Sequence, residues 1–536
     1  MIPLLSTEQI KQAEAAAVRA GTSESELMAL AGSQIAESIV AEHENLARVL
    51  ILCGPGKNGG DGIVAGARLK EYGCSVTVWA WKRAGAGDVP LDKTAIDSLD
   101  WIESGDGLRS VIGNADLVVD AVFGTGSRPE LPEDVRHTFI AVAKERSRRY
   151  LPLWAVDNPS GVSTETGEAD HETLKVDTTA VIGHPKAGLY CMPAAAHTGR
   201  LTLIDIGLES PVDIGDDAPR LITRLAARSH LPTRRAGVHK RSAGTVMVVG
   251  GAPGYYGAPR LSGEAALRSG AGLVTIAAPS SIIASIASAV PELTFLPLPV
   301  AEHSSAAARM ASIVHERMRA SDALVIGPGL GTDDPVPEFL SRLLGFNQTT
   351  RAAIGFGNQS DPEQPNPFSG RAVLDADALN WLSGQDEWWD HLQDAQLVLT
   401  PHSGELARLL EQSRDEIEAD PWDSARRAAT RFGHVVVLKY AHSVVATPDG
   451  RLFVANQSPP SLATAGTGDV LSGTIGAFLA AGLDCSAAAI SAIALGLEAA
   501  ATAEAHSGSI GILATDIIRE LPAARESIDR TRTHFQ

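Results

Sequence analysis

Seven times in this chain a short apolar run stops at a turn built from Gly, Asp, Asn, Ser or His. The runs are VLILC before GPGKNGGDG, ADLVVDAV before FGTG, LWAV before DNPSG, TVMVV before GGAPGYYG, DALVI before GPGLG, AVL before DADALN and QLVLT before PHSGE. A run that is apolar throughout, rather than on alternate positions, is a strand covered on both faces. Strands of that kind belong to parallel sheets with a helix packed on either side, and their polar turns then gather along one edge.

The alternation occurs twice. VLILC (49–53), SVTVWAW (75–81), ADLVVDAVFG (115–124) and PLWAVDNPSG (152–161) read as strands, GIVAGARLKEYG (62–73) reads as a helix stopped by Gly73, and the pattern closes near LTLIDIG (201–207). A helical stretch over 7–42 precedes them, with Leu27, Leu30, Ala31 and Ile35 at helical spacing. Composition shifts between 208 and 238, from acidic ESPVDIGDDAP to basic LPTRRAGVHKR. New strands follow at AGTVMVVGG (243–251), LVTIAA (273–278), DALVIG (322–327), RAVLDA (371–376), AQLVLT (395–400) and HVVVLK (434–439), with a polar inserted loop at 345–370. The expectation is an α/β chain of two domains, residues 1–215 and 225–536, each a three-layer α/β/α sandwich, the first Rossmann-like.

A net charge of −19 excludes a general nucleic-acid binder, so any phosphate must be held by backbone N–H groups and a few local cations. The four cysteines, Cys53, Cys74, Cys191 and Cys485, form no C-x-x-C pair and predict neither zinc nor a disulfide framework. The N-terminal segment lacks the apolar core of a signal peptide, and the Ala- and Gly-rich stretch 470–500 reads as a buried helix pair rather than a membrane span. These features point to a cytoplasmic protein with no membrane or nucleic-acid partner.

The first glycine run carries Gly54-x-Gly56-x-x-Gly59, which read literally is a dinucleotide fingerprint at a helix N-terminus. Three details depart from a redox site. The second strand ends in Trp81-Lys82-Arg83 rather than in the acid that holds a ribose hydroxyl. The loop carries Asn58 and Asp61, and two further strand ends carry Asp120 and Asp157. Converging on one crevice with Ser160, these hard oxygen donors suit an alkali or alkaline-earth ion, and the shortage of carboxylates favours a monovalent one.

KNGGDG, VDAVFGTG, VDNPSG and KVDTTAVIGHPKAGL (175–189) together resemble the YjeF N-terminal domain, the NAD(P)H-hydrate epimerase family, over about residues 1–215. The resemblance implies potassium held by Asn58, Asp120 and Ser160, and substrate contacts from Asn58, Gly59, Gly60, Asp61 and Gly62, from Gly124, Thr125, Gly126, Ser127 and Arg128, and from Asp157 as the acid–base residue. Lys57 and Asn158 depart from the family pattern.

In the second half, SLATAGTGDVLSGTIGAFL (461–479) places Gly466-Thr467-Gly468-Asp469 at a helix start. Successive N–H groups there form an anion hole beside a carboxylate, which suits phosphoryl transfer: the amides stabilise the moving phosphoryl and Asp469 takes the proton of an attacking hydroxyl. No G-K-[ST] follows, so this is not a Walker loop. GPGLGTDD (327–334), LDADALN (374–380), LTPHSGE (399–405) and VLKYAHSVV (437–445) supply further polar strand ends.

This set resembles the ribokinase-like superfamily and, more narrowly, the ADP/ATP-dependent NAD(P)H-hydrate dehydratases, from about His239 to Leu521. It implies substrate contacts from Ala271, Gly331, His402 and Asp469, and nucleotide contacts from Lys439, Tyr440, Ala441, His442 and Ser443 and from Gly466, Thr467 and Gly468, with Mg²⁺ accompanying the nucleotide. Tyr440 in place of a glycine, the lack of histidine in ALGLEAA (494–500) and the long 345–370 stretch depart from the pattern.

Joined, the two resemblances imply repair of hydrated NADH and NADPH. One domain interconverts the two epimers of the hydrate. The other phosphorylates the ring hydroxyl so that phosphate leaves. ADP against ATP stays open. So do two other readings: a kinase of a small hydroxylated metabolite with a regulatory first domain, and a binding protein built on a dead first domain. The fused architecture and Ala-rich helices point to a homo-oligomer.

Overall fold

In the computed structural model both alternating stretches form parallel sheets, and in each the chain enters at a central strand and reverses direction once. The structure describes residues 1–531 except 88, 103–106, 127–128, 210–213, 216–217, 234–236, 238, 301–303 and 347–366. Ser127 and Arg128, and most of the 345–370 stretch, lie outside the described residues. The chain divides into two units, Ile2–Arg220 and Leu221–Gln536.

The first unit contains β1 (Ile2–Pro3), β2 (Arg48–Cys53), β3 (Ser75–Ala80), β4 (Asp100–Ile102), β5 (Leu117–Ala121), β6 (Leu153–Val156), β7 (Thr178–Ile182) and β8 (Arg200–Ile204). The last seven form one sheet in the order β4-β3-β2-β5-β6-β7-β8, parallel throughout. Successive residues of β2 face opposite layers. Val49, Ile51 and Cys53 join a core with Ile35, Ile39 and Ile63, while Leu50 and Leu52 join another with Val135, Phe139 and Val142. Burial on both faces, at roughly 1.5–3 kcal/mol for each large aliphatic side chain, is why the strand reads as apolar without alternation.

The predicted helix over 7–42 is two helices, Thr7–Arg19 and Glu24–Glu42. Gly21, at φ +109°, turns the chain between them, and Ser23 caps the second through a reciprocal pair of bonds with Glu26. The helix expected from Gly62 begins five residues earlier, at Lys57. Most of the glycine run is therefore first-turn helix rather than loop.

The second unit contains β9 (Arg220–Ile222), β10 (Thr245–Val249), β11 (Leu273–Pro279), β12 (Thr294–Leu298), β13 (Ala323–Ile326), β14 (Arg371–Leu374), β15 (Gln396–Leu399), β16 (Val435–Leu438), β17 (Val444–Ala446) and β18 (Leu452–Ala455). From β18 the order runs β17-β16-β15-β14-β13-β10-β11-β12. Neighbours are parallel from β12 to β16, the antiparallel pairs β16-β17 and β17-β18 follow, and β9 lies beyond β18. The sequence reading missed β1, β4, β7, β9, β12, β17 and β18, which are short or lie outside the strand–helix rhythm.

Small residues let the helices of this unit close on the sheet. A Cβ on Gly476 would stand 2.5 Å from Val325 Cγ2, and one on Gly473 would stand 2.0 Å from the Ser262 carbonyl. The helices Thr467–Ala480 and Cys485–Ser507 are the pair expected for 470–500. Cys485–Ser507 is, among the described residues, the one helix long and apolar enough to cross a membrane, and two-thirds of its apolar window is buried inside this core.

Candidate functional site

Ligands of open parallel sheets bind outside the carboxyl ends of the strands, where the strand order reverses. In the first unit that point lies between β2 and β5. The glycine run leaves β2 there, and Asp120, near the end of β5, is in register with Leu52. The loop after β6 brings Asp157 and Ser160 to the same edge.

Asp120 is buried at 1% exposure. Its carboxylate accepts from the Ser160 amide at 2.8 Å, the Ser160 hydroxyl at 2.6 Å and the Val122 amide at 3.2 Å. Burial pushes this carboxyl up to about 6 against those bonds. The Phe123 amide donates to Ser160 Oγ at 2.8 Å. Asn58 is buried, and its side chain lies 3.1 Å from where a Cβ on Gly124 would be. Its Nδ2 has no hydrogen-bond partner among the described residues. The two ends of an amide are nearly isosteric. Turned over, Asn58 presents Oδ1 at that unmet position, on the same strand edge as Asp120 and Ser160. The donor set fits a weakly charged, oxygen-liganded cation.

Asp157 sits at φ +67°, in a left-handed conformation that costs a non-glycine residue about 1–3 kcal/mol. Three segments hold it there. Thr125 donates to Oδ2 from its hydroxyl at 2.5 Å and its amide at 3.2 Å, the Ile182 amide donates to Oδ1 at 3.2 Å, and Lys186 Nζ donates to Oδ1. Burial alone raises the Asp157 carboxyl; Lys186 and these hydrogen bonds outweigh it and hold it below the ordinary value. Asp61 behaves oppositely, since burial and the nearby charges of Asp157 and Glu14 push its carboxyl well up. Sequence reasoning assigned no role to Lys186 or Glu14. The signal for Lys186 was a single cation four residues beyond β7, inside a motif already singled out.

Several of the glycines also have a packing role that the sequence reading did not give them. A Cβ on Gly54 would stand 1.9 Å from the Val122 carbonyl, on Gly59 2.1 Å from the Gly54 carbonyl, on Gly60 2.7 Å from Met28 Cε and on Gly62 2.6 Å from Ala121 Cβ. These four are cleared for the protein's own packing. Gly56 alone in the run opens onto free space. Arg83, which follows β3, donates from Nη1 to the carbonyls of Gly54 at 3.0 Å and Gly56 at 2.8 Å, and from Nη2 to Ala86 at 2.8 Å.

In the second unit the reversal lies between β10 and β13. The GPGLG turn after β13 needs glycine three times, with Gly327, Gly329 and Gly331 at φ +124°, +63° and +76°. The Gly331 amide donates to Asp377 Oδ2 at 2.8 Å. Lys439, one residue past β16, reaches back to Asp375 at the end of β14, with Nζ 2.8 Å from Oδ1, and lies 3.9 Å from Glu405. Burial pulls the ammonium down, but Asp375 and Glu405 outweigh it and leave it raised. The same Nζ lies 3.5 Å from the position of a Cβ on Gly468. The first turn of Thr467–Ala480 therefore stands over the ends of β14 and β16.

Gly466 begins that helix at φ +91°, and Asp469 lies in its first turn. Burial, reinforced by Asp375 and opposed by Lys439, pushes the Asp469 carboxyl up to about 7. Thr467 turns its hydroxyl back onto the carbonyls of Leu462 at 2.8 Å and Thr464 at 2.9 Å, so its side chain shapes the turn.

His402 is the N-cap of helix Ser403–Leu410. Its Nδ1 accepts from the amides of Gly404 at 3.0 Å and Glu405 at 3.3 Å, while Glu405 accepts from the His402 amide at 2.9 Å. Its side chain is otherwise half-exposed at the strand edge.

Two expected contacts are displaced. Ala271 lies in the hydrophobic core just before β11, at the amino end of the strands, whereas Gly331, His402 and Asp469 lie at the carboxyl end. His442 is buried in the β16–β17 connection with Nδ1 2.8 Å from the Ala455 carbonyl, and burial takes its imidazole down to about 4. Tyr440, Ala441 and Ser443 form the rest of that connection. Asp375 and Asp377 were within a quoted motif but had no assigned role.

A family model described as NAD(P)H-hydrate dehydratase matches residues 246–523, and one described as YjeF-related protein N-terminus matches residues 24–188. The bifunctional NAD(P)H-hydrate repair enzyme Nnr of Moorella thermoacetica is 34% identical over 527 residues, covering 94% of this chain and 92% of that protein. Those of Escherichia coli, at 34% over 92% and 88%, and Coxiella burnetii, at 32% over 97% and 99%, are similar along the same length. Among solved structures, the ADP/ATP-dependent NAD(P)H-hydrate dehydratase from Bacillus subtilis, co-crystallized with ATP/Mg²⁺, is 24% identical with a TM-score of 0.46, covering 58% of this chain and 99% of that chain. With a YjeF-related model matching the first unit, an NAD(P)H-hydrate dehydratase model matching the second and relatives matched almost end to end, the chain belongs to the family of bifunctional NAD(P)H-hydrate repair enzymes.

Proposed function

We propose that the chain returns hydrated NADH and NADPH to use in two steps. In the second unit, ADP transfers its terminal phosphoryl group to the hydroxyl on C6 of the hydrated ring. Asp469 takes the hydroxyl proton, and the ring nitrogen's electron pair then expels phosphate. The products are NAD(P)H, AMP and phosphate. Gly466, Thr467 and Gly468 offer amides to the moving phosphoryl, and Lys439, Tyr440, Ala441 and Ser443 line the nucleotide side. Mg²⁺ travels with the nucleotide and offsets its charge.

In the first unit, the hydrate's ring opens and closes to exchange R and S forms, with Asp157 moving the proton and Lys186 holding Asp157 ready. Only one epimer presents its hydroxyl in line with the phosphoryl donor, so the exchange makes the other usable. Potassium would be held by Asn58, Asp120 and Ser160, where it supplies fixed positive charge beside the substrate. Self-association into a homo-oligomer in the cytoplasm belongs to the same reading.

The observation that supports it best is the carboxyl of Asp469, raised to about 7, in the first turn of a helix beside Lys439. A base poised near neutrality beside first-turn amides is what proton removal during phosphoryl transfer requires. Asp469→Asn tests it. ADP-dependent recovery of the reduced-ring absorbance from chemically hydrated NADH is expected to disappear, while epimer exchange followed by NMR persists. Recovery at the wild-type rate defeats the assignment. Exchange of potassium for choline is expected to slow only the epimer exchange.

A further inference from the structure

Arg83 stands where a redox Rossmann fold keeps the acid that grips a ribose, and its bonding is unusual for an arginine at that place. Its guanidinium makes no ion pair with any carboxylate among the described residues. It spends three hydrogen bonds on backbone carbonyls instead, those of Gly54, Gly56 and Ala86. Its Nε is buried without a partner.

The consequence follows from the planarity of the peptide unit. In a trans peptide the C=O of one residue and the N–H of the next point in opposite directions. With the Gly56 carbonyl turned to Arg83, the Lys57 amide must point away from Arg83. Gly56 is the N-cap of helix Lys57–Glu71 and has no capping side chain; its carbonyl accepts from the Gly60 amide at 3.3 Å as well as from Arg83, so the two donors together fix that plane. A cation therefore lies directly behind a helix N-terminus, in a chain whose net charge is −19.

We infer that Arg83 is a positioning residue for the phosphate-bearing part of the substrate: it fixes the glycine turn with its amides outward and supplies the local positive charge behind them. This rests on the reading that a dinucleotide lies against the first unit's glycine run. It assigns Arg83 to binding rather than to chemistry at the ring.

The test uses full-length wild type, R83K and R83M. Hydrogen–deuterium exchange of the peptide spanning residues 54–62 is followed against NADP⁺ concentration, and epimer exchange is followed against hydrate concentration. Wild type is expected to show NADP⁺-dependent protection of that peptide. In R83M, half-protection is expected to need about tenfold more NADP⁺, as the loss of charge-assisted bonds implies, and KM for epimer exchange to rise by a similar factor while kcat changes little. R83K, which keeps the charge without the fork, should fall between. Half-protection at the same concentration in R83M and wild type would overturn the inference, as would a fall in kcat at unchanged KM. Absence of protection in wild type would overturn it too. Protection without epimer exchange in wild type would refute the proposed epimerisation and leave the role of Arg83 standing.

Discussion

Lys439 Nζ lies 2.8 Å from Asp375 Oδ1, joining the carboxyl ends of β16 and β14 across β15. Asp375 is almost fully buried, at 2% exposure. Lys439→Met removes the partner and leaves that carboxylate uncompensated. The expected cost is about 3 kcal/mol of unfolding free energy, the penalty of breaking a buried pair, together with loss of ADP-dependent turnover. Denaturant unfolding of K439M and of the double variant K439M/D375N checks this. The second change should restore part of the stability and none of the turnover.

The raised carboxyl of Asp469 gives two opposite pH trends. A base works only when ionised, so kcat/KM for dehydration should fall as pH drops through about 7. Stability runs the other way. The folded state binds this proton more tightly than the unfolded chain does, so the carboxyl destabilises the fold increasingly as pH rises from about 4 to about 7. Asp469→Asn should therefore raise Tm at pH 8 and leave it nearly unchanged at pH 4, as thermal scans at the two pH values would show.

Lys186, 1% exposed, neutralises Asp157. Lys186→Met should slow epimer exchange and destabilise the protein by about 3 kcal/mol near pH 7. Asp157 titrates below its unfolded value, so its ion pair stabilises above about pH 4 and that contribution is lost as pH falls further. The penalty of K186M should shrink in acid, and chemical denaturation at pH 7 and pH 3.5 would measure the difference.

Gly54 and Gly56 are two residues apart and should respond differently to alanine. At Gly54 a Cβ would meet the Val122 carbonyl at 1.9 Å, and about 3 kcal/mol of destabilisation is expected. At Gly56 there is open space and a negative φ, so the change should cost at most about 1 kcal/mol. Equal losses in G54A and G56A would mean that the glycine run is not packed in this way.

Both sheets were legible because strands buried on both faces are apolar without interruption, as in VLILC. That Asp120, Asp157 and Ser160 lie on one edge was legible because the carboxyl ends of parallel strands share it; Ser160 bonds to Asp120, while Asp157 is held by Thr125, Ile182 and Lys186. Partners fixed by long-range geometry were not. Lys186 reaches Asp157 across 29 residues of chain, and Lys439 reaches Asp375 across 64, with no spacing that announces either. A glycine cleared for a neighbouring carbonyl or side chain looks the same in sequence as one cleared for a ligand, so the packing role of Gly54, Gly59, Gly60 and Gly62 did not show there. Ala271 was misplaced because its motif straddles a helix end and a strand start, and periodicity does not say at which end of the sheet such a turn lies.

The capping bonds of His402 settle which proton its ring carries. Nδ1 accepts from two amides and must be bare, so the neutral ring is the Nε2–H tautomer. Nε2, which lies 3.5 Å from Glu405 Oε1, can therefore only give a proton to whatever reaches the half-exposed ring. It has no lone pair left for a metal, and whatever it meets there must bring an acceptor atom, such as a phosphate or carboxamide oxygen.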